Sequence, residues 1–161
     1  MHLQQMNILL ADDDADDRLF FKEALEELSL STNLTTVPDG EHLMHLLTND
    51  TNELPHVLFL DLNMPRKNGF ECLSEIKQSK KLNPLPIVVF STSFEQEVVN
   101  LLYKNGAQYF IRKPSEFSQF KKIILQALTL VAKDLPTNKS MSSVQPAREN
   151  FVITIETNLA V

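Results

Sequence analysis

Five apolar runs of four to six residues recur up to residue 111, each followed by polar residues and most by a segment of helical period. The runs Met6–Ala11, Asn33–Val37, His56–Leu60, Ile87–Phe90 and Gln108–Ile111 are expected strands. They are mostly continuous rather than alternating, as a parallel sheet covered on both faces requires. Between them lie the expected helices Ala15–Leu28, Gly40–Thr48, Gly69–Ser79 and Glu95–Asn105, and Ser115–Lys133 follows the last run. Leu19, Phe20, Ala24 and Leu28 mark one stripe of the first helix; Phe117, Phe120, Ile124, Leu128 and Val131 mark the last. Asp14 or Asp16 would cap the first helix and Ser115 the last. Such alternation predicts a doubly wound α/β domain. With 43% apolar residues, a chain of 161 can build one such core with a little to spare.

The texture changes from Asp134. Residues 135–150 hold Pro136, Pro146 and three serines without periodicity, which reads as a linker. Phe151–Glu156 then looks like a lone strand, and a lone strand is not stable by itself. Disorder is the first expectation for it, ahead of addition to a sheet edge or pairing with a second chain. The chain is therefore expected to divide into a domain at 5–133 and a tail at 134–161.

Strand ends carry the chemistry. Asp12 and Asp13 follow the first run, Asp61 the third, Ser91 the fourth, and Lys113 stands just after the fifth. In an open parallel sheet all of these reach the carboxyl edge, where such folds place their sites. Pro65 and Gly69 turn the chain into a loop after Asp61 and leave that carboxylate at an open edge. It is positioned to act as a nucleophile toward phosphorus, or to serve as an ordinary turn or cap residue. Clustered carboxylates repel one another unless a cation joins them, and a Mg²⁺ ion accepts one or two carboxylates plus waters. Lys113, held before Pro114 in a turn that accepts a cis bond, could pair with a phosphoryl oxygen or remain solvated. Asp14, Asp16 and Asp17 read instead as residues favoured at a helix start by its dipole.

Several features narrow the function. A formal net charge of -6 argues against a nucleic-acid backbone as partner. The single cysteine, Cys72, permits no intrachain disulfide and reads as a small helix residue near the core. Met1–Asn7 contains no Lys or Arg and leads into a short apolar run, unlike a signal peptide or a membrane span. A soluble, cytoplasmic protein is the expectation. His42 and His45 stand three apart on an expected helix, but without further ligands they read as surface residues.

The order of motifs is telling: Asp12-Asp13 after the first strand, Asp61-Leu62-Asn63-Met64-Pro65 with Asn68-Gly69 after the third, Ser91 after the fourth, Lys113-Pro114 after the fifth. It resembles the receiver domain of two-component response regulators, over roughly residues 5 to 133. The resemblance implies a flavodoxin-like fold, five parallel strands in the order 2-1-3-4-5 with five helices. It implies that Asp61 accepts a phosphoryl group from a histidine kinase or a histidine phosphotransfer protein. It further implies Mg²⁺ on Asp13, Asp61 and the backbone carbonyl of Asn63, with Asp12 acting through water. Ser91 and Lys113 would bind the phosphoryl oxygens, and Phe110, three before Lys113, would occupy the switch position whose rotamer follows Ser91.

Two departures stand out. Phe110 has no hydroxyl, so a switch there works by packing. Thr92 is bulkier than the Ala or Gly common beside the switch hydroxyl, and is expected to narrow access to Asp61. Only 28 residues follow residue 133, too few for a helix-turn-helix output domain. Output is then expected through docking to another protein, through onward relay of the phosphoryl group, or through a homodimer formed by the tail. Two other functions use the same residues. A Mg²⁺-dependent phosphohydrolase of the haloacid dehalogenase type would carry a second Asp where Asn63 stands, and Asn63 cannot do acid–base work. A phosphorylation-independent adaptor would have no need of the full set Asp12, Asp13, Asp61, Ser91 and Lys113.

Overall fold

A computed structural model describes residues 5–49, 53–134 and 145–154. The elements run β1 (Met6–Ala11), α1 (Ala15–Glu27), β2 (Thr32–Val37), α2 (Gly40–Leu47), β3 (Val57–Asp61) and α3 (Gly69–Gln78). They continue with β4 (Ile87–Ser91), α4 (Gln96–Lys104), β5 (Tyr109–Arg112), α5 (Phe117–Asp134), a single 3₁₀ turn at Arg148–Asn150, and β6 (Val152–Ile153). Every strand pairing is parallel, in the order β2-β1-β3-β4-β5-β6. Among the described residues the sheet therefore has six strands, not the five expected. The sixth comes from the tail, where disorder was the first expectation. Residues 135–144 of the linker, and the Ile155–Glu156 end of the expected strand, lie outside the described residues.

Alternation along each strand builds two cores, because successive side chains point to opposite faces. Ile8, Leu10, Phe59, Val88, Phe90 and Ile111 point toward α1 and α5. Leu9, Leu58, Leu60, Ile87, Val89 and Phe110 pack with residues of α2, α3 and α4 on the other face. Both faces are covered, so β3 and β4 are buried at every position. That explains their continuous apolar reading. β2 is the exception: it forms one edge of the sheet, and of its residues only Val37 is buried, the others being half-buried or exposed.

An aromatic cluster lies below the functional edge. Phe21 meets Phe59 edge-on at 4.9 Å, and Phe90 and Phe120 complete the group at 6.0–6.2 Å. Phe21, Ala24 and Leu25 are thus the buried stripe of α1. The stripe expected from sequence holds in part: Ala24 is buried and Leu28 packs against the core, but Leu19 is 53% exposed, and Phe20 packs sideways on Phe117 of α5 at 4.8 Å. A run such as Leu19-Phe20-Phe21 offers the helix more than one apolar face, and only contact with Phe59 selects among them.

Helix starts follow their caps. The Asp14 side chain accepts from the amides of Asp16 and Asp17, which makes Asp14, not Asp16, the cap of α1. Asn68 and Glu71 form a reciprocal capping box on α3. α5 begins at Phe117, so the position before it is Glu116 and not Ser115.

Candidate phosphoacceptor site

Asp12 follows β1 directly, Asp61 closes β3, and Ser91 closes β4. Register aligns these ends, pairing Ala11 with Leu60, Asp61 with Phe90, and Ser91 with Arg112. The Lys113 amide donates to the Ser91 carbonyl at 2.8 Å, extending the β4–β5 pairing by one residue past the strand. This bond aims the lysine back over the sheet edge. The Lys113–Pro114 peptide is trans.

The Lys113 ammonium is the centre of the site. It lies 2.9 Å from Asp17, 3.0 Å from Asp12 and 3.7 Å from Asp61, with its side chain only 8% exposed. The ring of Phe90 underlies it at 4.6 Å, a favourable face for a cation. Asp12 is fully buried and accepts from the Asp14 amide at 3.0 Å. The Arg18 guanidinium donates to the Asp12 carbonyl at 2.7 Å and ties the start of α1 to the end of β1. Gly69 lets the loop after β3 fold back: a Cβ there would meet the Asp61 carbonyl oxygen at 2.4 Å.

The electrostatics follow from this crowding. Burial pushes the Asp61 carboxyl up to about 7, with the charges of Asp12 and Asp13 adding to the rise. The Lys113 ammonium and the Asn63 amide, hydrogen-bonded to the carboxylate, oppose it. Burial raises Asp12 as well. For Lys113, burial alone would depress the ammonium, but the bond to Asp17 and the charges of Asp12 and Asp61 carry it above its ordinary value.

Asp12, Asp13 and Asp61 each bring a carboxylate oxygen within 4.8 Å of the others. Three hard oxygen donors at that spacing suit Mg²⁺ or Mn²⁺, not a soft metal. Burial disfavours the charged form of Asp61, and a dication would reverse that preference. His42 and His45 build no comparable group: both are exposed, and His42 Nδ1 bonds the Asp39 carboxylate at 2.9 Å.

Ser91 is fully buried, and its hydroxyl lies 3.4 Å from that of Ser93 and accepts from the Ser93 amide at 3.3 Å. Thr92 is exposed and lines a cavity of about 720 Å³ together with Lys113, Pro114 and Asp17. Phe110 is buried, meeting Phe94 of the β4–α4 loop edge-on at 5.8 Å on one side and β6 on the other.

Asp17 was missed. From sequence it belonged to the helix start, yet its carboxylate makes the shortest contact of Lys113, across 96 residues of chain. A signal was available: with Asp14 as cap, Asp17 falls at the third helical position. Helical side chains lean toward the N-terminus, here toward the strand ends.

A parallel sheet in the order 2-1-3-4-5, acids at the first and third strand ends and a lysine after the fifth define a class. The chain belongs to the response regulator receiver domain family, which it matches over residues 8–125. It is 30% identical to response regulator Rcp1 of Synechocystis over 73% of this chain and 82% of that protein. It is 29% identical to the probable methanogenesis regulatory protein FilR2 of Methanothrix harundinacea, over 73% and 77%. Among solved structures, the phosphorylated cyanobacterial phytochrome response regulator RcpA superposes with a TM-score of 0.75 at 28% identity. That match covers 83% of this chain and 98% of RcpA. The Mn²⁺-bound form of Rcp1 gives 0.73 at 27% identity, over 81% and 97%. The chain is thus a two-component signalling protein, of a family whose domains generally act as phosphoacceptor switches and bind a divalent cation in an acidic pocket. No helix among the described residues is long and apolar enough to cross a membrane.

Proposed function

We propose that Asp61 of this receiver domain takes a phosphoryl group from a histidine kinase or a histidine phosphotransfer protein. The observation that carries this reading is the Lys113 ammonium seated among Asp12, Asp17 and Asp61 at the edge of the sheet. An ionised Asp61 oxygen forms the new bond to phosphorus as the P–N bond of the phosphohistidine breaks, its electron pair leaving with the imidazole. Lys113 offers its positive charge to the phosphoryl oxygens. Asp12, Asp13, Asp61 and the Asn63 carbonyl would hold a Mg²⁺ ion, which when bound neutralises charge developing on those oxygens. Asn63 offers no acid or base to speed hydrolysis, so the adduct is lost slowly and the protein acts as a switch.

The route outward runs along β5. A phosphoryl group adds about -1.5 to -2 of charge and new acceptor oxygens. The Ser91 hydroxyl, now shared with Ser93, turns toward them and takes the β4–α4 loop with it. Phe94 of that loop packs on Phe110, so the displacement reaches the β5–β6 edge. A protein target docked on α4, β5 or the tail would read this change. The β5–β6 pairing formed between two chains in place of one would give a homodimer through the tail. Comparing the solution mass of the full chain with that of a chain ending at Asp134 tests this.

The main test is incubation with Mg²⁺ and acetyl phosphate, followed by mass measurement. One phosphoryl adduct is expected, absent in Asp61→Asn. A wild-type protein that takes no adduct from small donors or from a cognate kinase would overturn the reading.

A further inference from the structure

Lys113 has three N–H donors and three carboxylates around it, and it divides them unequally. Asp17 and Asp12 are at hydrogen-bond distance, 2.9 and 3.0 Å, while Asp61 stands off at 3.7 Å. Asp12 belongs to the acidic set that could hold a metal ion; Asp17 does not. A role at the helix start does not account for its placement. Asp16, one residue earlier in the same turn, meets the dipole equally well and is exposed. Asp17 is only partly exposed and turns its carboxylate inward, onto the ammonium. Asp14 fixes this arrangement by accepting from the Asp17 amide at 3.2 Å, and Arg18 fixes the next residue on the Asp12 carbonyl.

We propose that Asp17 is a positioning residue that holds Lys113 back from Asp61 and so sets how readily Asp61 accepts a phosphoryl group. This rests on the phosphoacceptor reading above. Lys113 must leave Asp17, or share it, before it can meet a phosphoryl oxygen on Asp61. Asp17 also adds a fourth negative charge beside the path of an anionic donor. Both effects act in one direction, as a restraint on the forward step. The fold therefore contains a brake on its own activation that acts through the lysine.

The experiment compares wild type with Asp17→Asn, Asp17→Glu and Asp16→Asn. In Mg²⁺ and acetyl phosphate, Asp17→Asn should be phosphorylated faster by about fivefold, the size of one partly exposed ion pair. It should also bind the phosphoryl mimic beryllofluoride more tightly by a similar factor. Asp17→Glu should return both to near wild type, and Asp16→Asn, which removes the same charge from the same turn, should leave both unchanged. An Asp17→Asn rate equal to or below wild type, or an equal gain from Asp16→Asn, would overturn the proposal. A wild type that is never phosphorylated refutes the phosphoacceptor reading instead. Metal-free protein then still judges the contact. The Lys113 ammonium resonance should shift in Asp17→Asn and stay put in Asp16→Asn, and an unmoved resonance in Asp17→Asn refutes the placement of Asp17.

Discussion

The amide of Phe110 donates to the carbonyl of Phe151 at 3.0 Å, joining β5 to the tail. Phe151 is buried, and its ring meets Tyr103 of α4 edge-on at 5.1 Å. The Gln145 amide donates to the carbonyls of Tyr103 and Ala107, and the Tyr103 hydroxyl donates to the Pro146 carbonyl at 2.8 Å. These contacts hold a two-residue strand that has no stability of its own. Phe151→Ala should lower stability by about 3–5 kcal/mol. It should also expose the Phe110 amide to rapid hydrogen exchange. Urea unfolding and exchange rates measure the two effects, and a Phe110 amide that stays protected would mean β6 is not anchored by this ring.

The pH dependence of stability turns on Asp61. Its folded value of about 7 lies above the ordinary 3.8, so the folded protein holds a proton that the unfolded chain releases. The stability this confers is fully present below the unfolded value and is lost as pH rises through about 7. Asp12 acts in the same direction. Metal-free protein should therefore lose stability from about pH 4 to 7, by something on the order of 2–4 kcal/mol, and level off above that. Urea midpoints across that range check it. Asp61→Asn should flatten the slope, and saturating Mg²⁺ should remove it.

Gly69 is required by close approach. A Cβ would sit 2.4 Å from the Asp61 carbonyl oxygen and 2.8 Å from the Leu62 Cα, both backbone atoms with little room to yield. Gly69→Ala should cost about 2–4 kcal/mol and shift the loop that carries Asn63. Weaker Mg²⁺ binding by titration should accompany the loss of stability. Unchanged metal affinity would show that the loop is set elsewhere.

Thr92 stands exposed beside Ser91 and lines the cavity that leads past Lys113. Shortening it is expected to open a path for water toward Asp61. The acyl phosphate of Thr92→Ala should therefore decay several-fold faster than that of wild type, at unchanged folding stability. Equal lifetimes would remove Thr92 from any part in access.

Much of this molecule was legible in advance because parallel strands buried on both faces leave a plain mark. β3 and β4 read as unbroken apolar runs, and each ended within a residue of its expected limit. The strand ends then brought Asp12, Asp13, Asp61, Ser91 and Lys113 to one edge, since parallel strands all finish on the same side. Other features left no comparable mark. The run Leu19-Phe20-Phe21 could face the sheet in more than one way, and contact with Phe59 and Phe90 chose Phe21. Phe151-Val152-Ile153 read as a strand without a place, because the residues that fix it, Tyr103, Ala107 and Phe110, lie some forty residues earlier.

Local chemistry in the sequence determined the strands, most of the helices and the set of groups at the sheet edge. Hydrophobic period, helix caps and turn residues act between near neighbours, so they can be read in order along the chain. Tertiary structure alone decided how the Lys113 ammonium is shared and that the tail adds a sixth strand. Hydrogen bonds and ion pairs between residues 40 to 100 apart depend on which faces the folded layers bring together. Asp17 therefore read as a helix-start acid until folding set Lys113 against it.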